Sequence, residues 1–484
     1  MTRMYRAPSK RRQLISRIAI YSLMTLGVLL LVTFLVFVML GYRFNRDTSS
    51  IQQGGLVQFA SRPINATVTI GNAKLGDLTP SKITVNPGNY NVRMNRSGYR
   101  DWTKNVDVRS GEVLWLNYAQ LVPDEIKTEQ LTKFNTVAAV KSSPNGDRFA
   151  VLEEATKAVV SFVDITGSQP KLTSLPLPSD TLPIDKTPTY ALADWANDSD
   201  RILLTLKYDD ITEWLVLDRR EANRTVNISR SYASDIADAM FDPRNSERVI
   251  IRTTDGNVRS VNTTANSISS VIAANATSMS LFDNDAILLV QTVPEGGQSV
   301  GYVSLGSDQV RVMKQIPSSE ISHVAIGKYF SDPYVAVSTG SELSIYRLKT
   351  LPSSESDASI SMTNVYSTTL PSPVDHLSIR TGGRFVIAQY AGGVQTYDIE
   401  LNKQMLTNFK SPVSGELRWL DKYHFYLTNG SSLNVMEFDG GNAHSITPLA
   451  TTFDAVQSDD GKYIFSINTS DTGYVLQRSR MIID

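Results

Sequence analysis

VAAVKSSPNGDRFAVL, residues 137–152, reads as two short strands about a turn. Residues 137–140 are apolar, Ser143-Pro144-Asn145-Gly146-Asp147 is turn chemistry, and residues 149–152 are apolar without a break. Asn-Gly favours a tight hairpin. A strand that is apolar at successive positions, rather than alternate ones, is covered on both faces. The pattern returns at 191–195 with 202–204, at 239–241 with 249–251, and at 279–282 with 287–290. Further copies run over 321–337, 374–388, 417–427 and 453–467. Each start is followed by a third, alternating strand, clearest at 213–217 and 433–438, and usually by a weaker fourth.

Four strands recurring about every 40 residues are the signature of propeller blades. Eight starts predict an all-β, eight-bladed propeller over 124–484. Seven blades are the alternative, because 453–484 holds only three good strands. Residues 126–134 are strand-like and are expected to supply the missing outer strand, closing the ring and removing open sheet edges. The proline-rich stretch 169–188 and the Ser/Asp-rich stretch 351–361 read as loops. The strand–Asp-Gly–strand rhythm resembles the WD40-like and TolB-like propellers, without the regular Gly-His and Trp-Asp dipeptides of strict WD40 repeats.

Ahead of this region, 55–123 shows a shorter strand pattern. Ala66, Val68 and Ile70 alternate with polar residues, and so do Tyr90, Val92 and Met94. Turn residues separate these runs, which predicts a small β-sandwich. The unit resembles the PEGA domain. Pro63, Ala66 and Val68 match that family's opening, Gly71, Gly76, Thr79 and Pro80 its middle, Pro87, Gly88 and Tyr90 its turn and strand, and Gly98 and Tyr99 its end. Ile64 and Asn65 replace the family's Glu and Gly, and Asn accepts the positive φ that Gly would have supplied. The resemblance implies an extracytoplasmic module of cell-surface proteins and no catalytic residues.

From Ile18 to Tyr42 the chain carries no charge and is almost wholly apolar. About 20 such residues cross a bilayer core as a helix. Arg3, Arg6, Lys10, Arg11, Arg12 and Arg17 precede it, with no acidic residue among them. Lys and Arg on one flank keep that flank cytoplasmic. A cleaved signal peptide has a shorter apolar core, of about 7–15 residues, and a small-x-small site that Leu40-Gly41-Tyr42-Arg43 does not offer. The expected layout is a basic cytoplasmic tail (1–17), a transmembrane signal anchor in the lipid bilayer (18–42), a polar stalk (43–54), the PEGA-like sandwich (55–123) and the propeller (124–484).

Composition narrows the function. The formal net charge is −1, so without the basic tail the rest is mildly acidic, which argues against nucleic acid. There is no cysteine, which removes disulfides, thiolate metal sites and a Cys nucleophile. The histidines His323, His376, His424 and His444 lack metal-ligand spacing. Asp209-Asp210, Asp283-Asn284-Asp285 and Asp459-Asp460-Gly461 are too short for a calcium loop and read as hairpin turns. No Gly-x-Ser-x-Gly elbow occurs. Gly392-Gly393 and Gly440-Gly441 lie between strands and read as turns, not phosphate cradles. Trp195 and Trp419 hold matching places and are expected to pack between blades. No pair of carboxylates stands out for glycoside hydrolysis. The reading is a non-enzymatic, membrane-anchored protein of the cell envelope, without cofactor or metal, that binds a protein or a cell-wall or surface glycan through its propeller. Alternatives are an assembly factor or sensor for other exported proteins, and a propeller hydrolase.

Overall fold

The computed structural model describes residues 10–45, 50–167, 169–282, 285–294, 296–316, 321, 323–349, 362–379, 382–409, 417–429, 432–450 and 453–483. The chain forms two compact units, Met1–Glu125 and Ile126–Asp484.

In the first unit a helix runs over Lys10–Met39. Its segment Leu14–Met39 is long and apolar enough to cross a membrane, and none of that segment is buried. The helix starts earlier than the apolar run, because Lys and Arg are good helix formers. It stops short of Tyr42 because Gly41 takes a φ of +79°. Lys10, Arg11, Arg12 and Arg17 lie in its N-terminal part, and Arg3 and Arg6 lie outside the described residues.

The expected stalk is instead a hairpin. Tyr42–Asn45 pairs antiparallel with Ser50–Gln53. Its ends are tied down: the Gly54 N–H donates to Gly41 C=O at 3.0 Å, Gln53 Nε2 donates to Leu40 C=O at 2.8 Å, and Ser110 Oγ donates to Gln53 C=O at 2.9 Å. A polar segment gives little hydrophobic signal, yet its backbone groups still need partners.

Two sheets follow. One places Gly55–Arg62 between Ser81–Val85 and Val113–Gln120, parallel to the latter. The other runs Ala73–Lys74, Thr67–Ile70, Gly88–Asn95, Trp102–Val108. Alternate residues point into one core built on Val57, Phe59, Val68, Val92, Met94 and Trp102.

Among the described residues the second unit shows eight four-stranded antiparallel sheets. In the first seven the strands follow chain order. The eighth takes Thr128–Phe134 as the outer partner of Gly473–Arg480, so the unit's first strand completes its last sheet. Residues 169–188 are not all loop. Lys171–Pro176 is the fourth strand of the first sheet, pairing with Val159–Asp164. Residues 351–361 lie outside the described residues.

The unbroken apolar second strands are explained by their neighbours. Phe149 and Val151 pack against Val456, Phe465 and Ile467 of the eighth sheet. Ala150 and Leu152 pack the opposite way, against Ile202, Leu204 and Leu206 of the second. Leu203 then faces Val249 and Ile251 of the third, and Ile250 faces Ile287 and Leu289 of the fourth. Each buried Val, Leu, Ile or Phe contributes about 1.5–3 kcal/mol. The turns between first and second strands repeat one motif in the first and eighth sheets. Gly146 and Gly461 sit at φ +67° and +66°, and the hydroxyls of Ser143 and Ser458 accept the N–H of Arg148 and Tyr463, each at 3.0 Å.

Candidate functional site

The first strands of neighbouring sheets lie side by side. Lys141 Nζ donates to Ala193 C=O, and Trp195 Nε1 donates to Lys141 C=O at 3.3 Å. Bulges interrupt the first strands at Leu192/Asp194 and Ile236/Asp238. There the structure assembles two carboxylates that no sequence motif linked. Burial pushes the Asp194 carboxyl above the ordinary aspartate range. Lys141 and the backbone N–H groups of Trp195 and Phe241 oppose that, and Asp238 adds to it. Burial likewise raises Asp238, opposed by Arg252 and the Ala239 N–H. Asp194 thus sits between the second sheet and the backbone of the third. Asp454 does the same elsewhere in the ring: its Oδ2 accepts from Ser142 N–H at 2.9 Å and Ser142 Oγ at 3.0 Å.

His323 opens its strand His323–Tyr329, and His376 lies in the next first strand, Val374–Ile379. Burial lowers the His323 pKa, the nearby His376 lowers it further, and Asp375 opposes both. His424 Nδ1 stands 2.9 Å from both oxygens of Asp421, and His444 begins the strand His444–Pro448. Among the described residues no three His, Asp or Glu side chains converge to hold a metal. Trp195 meets Phe162 edge-on and Trp419 stacks on Phe385, each ring belonging to the preceding sheet. The acidic runs at 209–210 and 459–460 are turns. Asp209 takes φ +50° and pairs with Lys186 at 2.7 Å. Asp460 accepts from the Lys462 N–H at 3.0 Å. Asp283 and Asn284 lie outside the described residues. Gly392 and Gly440 are turn glycines at φ +88° and +76°.

A cleft of about 490 Å³ opens between the third and fourth sheets. The third sheet supplies Asp242, Arg248, Ser260, Asn262 and Ser267. The fourth supplies the turn 305–308. Asp242 is 1% exposed and accepts the Arg244 N–H at 2.9 Å. Sequence reading missed this place, because serines and isoleucines scattered over some 70 residues form no motif.

In the first unit the residues of the PEGA-like pattern are held in place by one another. Thr79 Oγ1 accepts the Ala66 N–H at 2.9 Å and meets Ser61 Oγ at 2.6 Å. Ser61 Oγ in turn donates to Pro63 C=O at 2.7 Å. Asn65 takes the positive φ its position demands, +69°. Tyr90 Oη donates to Asn86 C=O at 2.9 Å, across Pro87 and Gly88, and its ring lies where a side chain on Gly71 would reach. Ala66 and Val68 are buried in the core, and Gly98, at φ +82°, turns the chain into Tyr99. Gly76 and Pro80 lie in the connection between Ala73–Lys74 and Ser81–Val85. Residues 55–122 match the PEGA family. They are a PEGA domain.

No curated protein matches the chain. Among solved structures, the C-terminal WD40 domain of Sif2 is 14% identical, over 74% of this chain and 99% of its own, with a TM-score of 0.49. The Dos1 propeller is 12% identical, over 73% and 94%, with a TM-score of 0.48. Apo AztD from Citrobacter koseri is 13% identical, over 81% and 97%, with a TM-score of 0.43. These are likenesses of fold alone. The part that follows the PEGA domain has a propeller fold, carried by its own strand pairing.

Proposed function

We propose that the protein is a non-enzymatic binding or scaffold protein of the cell envelope, anchored by one membrane-spanning helix. Its tail is cytoplasmic, and the PEGA domain and propeller stand outside. The observation that carries this reading is the fully exposed apolar segment Leu14–Met39. An apolar surface of that extent is not left in water, and the basic residues on its N-terminal flank set the direction. A propeller presents loops on a rigid frame, which suits recognition of a protein. An assembly factor or sensor for other exported proteins is a narrower form of the same role. The acid pair Asp194 and Asp238 favours a hydrolase less than it first suggests. The backbone N–H groups of Trp195 and Phe241 lie beside Asp194 and favour its charge, and a general acid or base must be free to reach the substrate.

The chain lacks cysteine, so Asp77→Cys and Lys422→Cys on exposed bends are unique labelling sites. In intact cells a membrane-impermeant maleimide is expected to label both and to spare Ser9→Cys until lysis. The reverse pattern would refute the orientation, and a shortened protein released from the membrane would refute the anchor. For the scaffold role, crosslinking of the full chain is expected to recover a reproducible partner, lost when 126–484 is removed. Recovery that survives the removal would count against the propeller.

A further inference from the structure

The cleft between the third and fourth sheets has the chemistry of a saccharide site. Arg248 stands on one wall and Asp308 on the other. The Arg248 side chain is 39% exposed, and its Nη1 lies 3.6 Å from Asp242 Oδ2, beyond hydrogen-bond reach. It lines the opening, and among the described residues no side-chain hydrogen bond occupies its guanidinium. Asp242 also has Arg244 Nε 3.7 Å away. Asp242 and Asp308 in the lining are balanced by Arg248, also in the lining, and by Arg244 beside it, so no strong single-sign charge marks the cleft for an ion. The hydroxyls of Ser260 and Ser267 have no protein partner among the described residues. Ser269 is spent, accepting from the Ser260 N–H and donating to Ser270 C=O. Ile250, Ile272 and Leu305 give the cleft apolar surface.

An uncharged cleft with separated donors and acceptors over apolar carbon matches a sugar ring, which carries hydroxyls on its edge and C–H groups on its faces. Its volume lies in the range of small-molecule sites. We propose that this cleft binds one neutral saccharide unit, with Arg248 donating to ring or hydroxyl oxygens and Asp308 accepting from hydroxyls. The proposal rests on the binding reading above and names a ligand class for it. Without an aromatic platform, affinity for a single unit is expected to be weak, on the order of millimolar.

The test uses the full chain in detergent and saturation-transfer NMR with the methyl glycosides of glucose, galactose, mannose and N-acetylglucosamine. Glucuronate and inorganic phosphate serve as charged controls. At least one neutral glycoside is expected to bind. Arg248→Gln is expected to weaken it about tenfold or more, the loss of a hydrogen bond to a charged group. Ser267→Trp, an exposed rim residue, should block the cleft while leaving the fold intact. The proposal is overturned if none of the four glycosides binds, if either charged control binds more tightly, or if both variants bind like the wild type. A failed titration would leave the anchor and scaffold reading standing. An inverted labelling pattern would leave a positive titration standing.

Discussion

Replacing Arg230 by alanine is expected to loosen the second sheet by stranding a buried charge. Glu213 is 7% exposed, on the strand Ile211–Asp218. Its carboxylate accepts from Arg230 Nε at 2.8 Å and Nη2 at 2.7 Å. It also accepts from Asn227 Nδ2 at 2.9 Å and Tyr208 Oη at 3.0 Å. Burial alone would raise its pKa. The hydrogen bonds from Arg230, Asn227 and Tyr208, with the charge of Arg230, outweigh burial and hold it below the ordinary glutamate range. Removing one partner of a fully buried pair costs about 3–5 kcal/mol. Arg230 is 34% exposed, so water can enter, and about 2–3 kcal/mol is the better figure. The double variant Glu213→Gln/Arg230→Ala removes the stranded charge and should recover about 1 kcal/mol or more of that loss. A chain of two units does not unfold in one step, so the assay is amide hydrogen exchange at 211–218. Because the folded pKa is depressed, the stabilisation is present above the unfolded glutamate pKa and is lost as pH falls through the folded value. The wild type's advantage over the double variant should therefore fade in acid. Equal exchange in the single and double variants at pH 7 would refute the reasoning.

Three further outcomes are expected. Asp194 has a raised folded pKa, so its burial weakens the fold as pH rises through the window between the ordinary aspartate value and the folded one. Asp194→Asn should flatten that dependence in exchange at 189–195, and an unchanged pH profile would refute it. Thr79→Val leaves the buried Ala66 N–H without its side-chain acceptor and should cost about 1–3 kcal/mol, read as a lower melting temperature of the PEGA domain; an unaltered melt would refute it. Gly473→Ala places a Cβ 2.4 Å from Phe134 C=O at a φ of +137° and should cost about 1–3 kcal/mol, read as faster exchange at 128–134; unchanged protection there would count against it.

The sequence was most legible where one residue's surroundings repeat along the chain. Positions such as Phe149, Ala150 and Val151 are apolar because two neighbouring sheets cover them, and that pattern needs no tertiary knowledge to see. The fourth strand Lys171–Pro176 was hidden because an outer strand is exposed and tolerates the flanking prolines Pro170 and Pro176. The hairpin of Tyr42–Asn45 and Ser50–Gln53 was hidden because strand pairing and polar side-chain hydrogen bonds hold it, which leave no apolar pattern. Asp194 and Asp238 meet only when the second and third sheets lie side by side, and the bulges that aim them leave no mark in composition. The cleft depends on the same juxtaposition, with Arg248 from one sheet and Asp308 from the next.

The pairing of Thr128–Phe134 with Gly473–Arg480 also bears on the order in which the protein is made. Thr128 and Ser479 meet across 351 residues of sequence. The strand 128–134 leaves the ribosome before any other strand of its unit, and its partner leaves after all of them. Until then the first-made strand has no ladder to join, while the intervening sheets can each form from local hairpins. Such a contact is slow because the loop it closes is long. The unit is therefore a product that becomes complete in its final step, and a chain cut short before Gly473 would forfeit closure rather than a fraction of it.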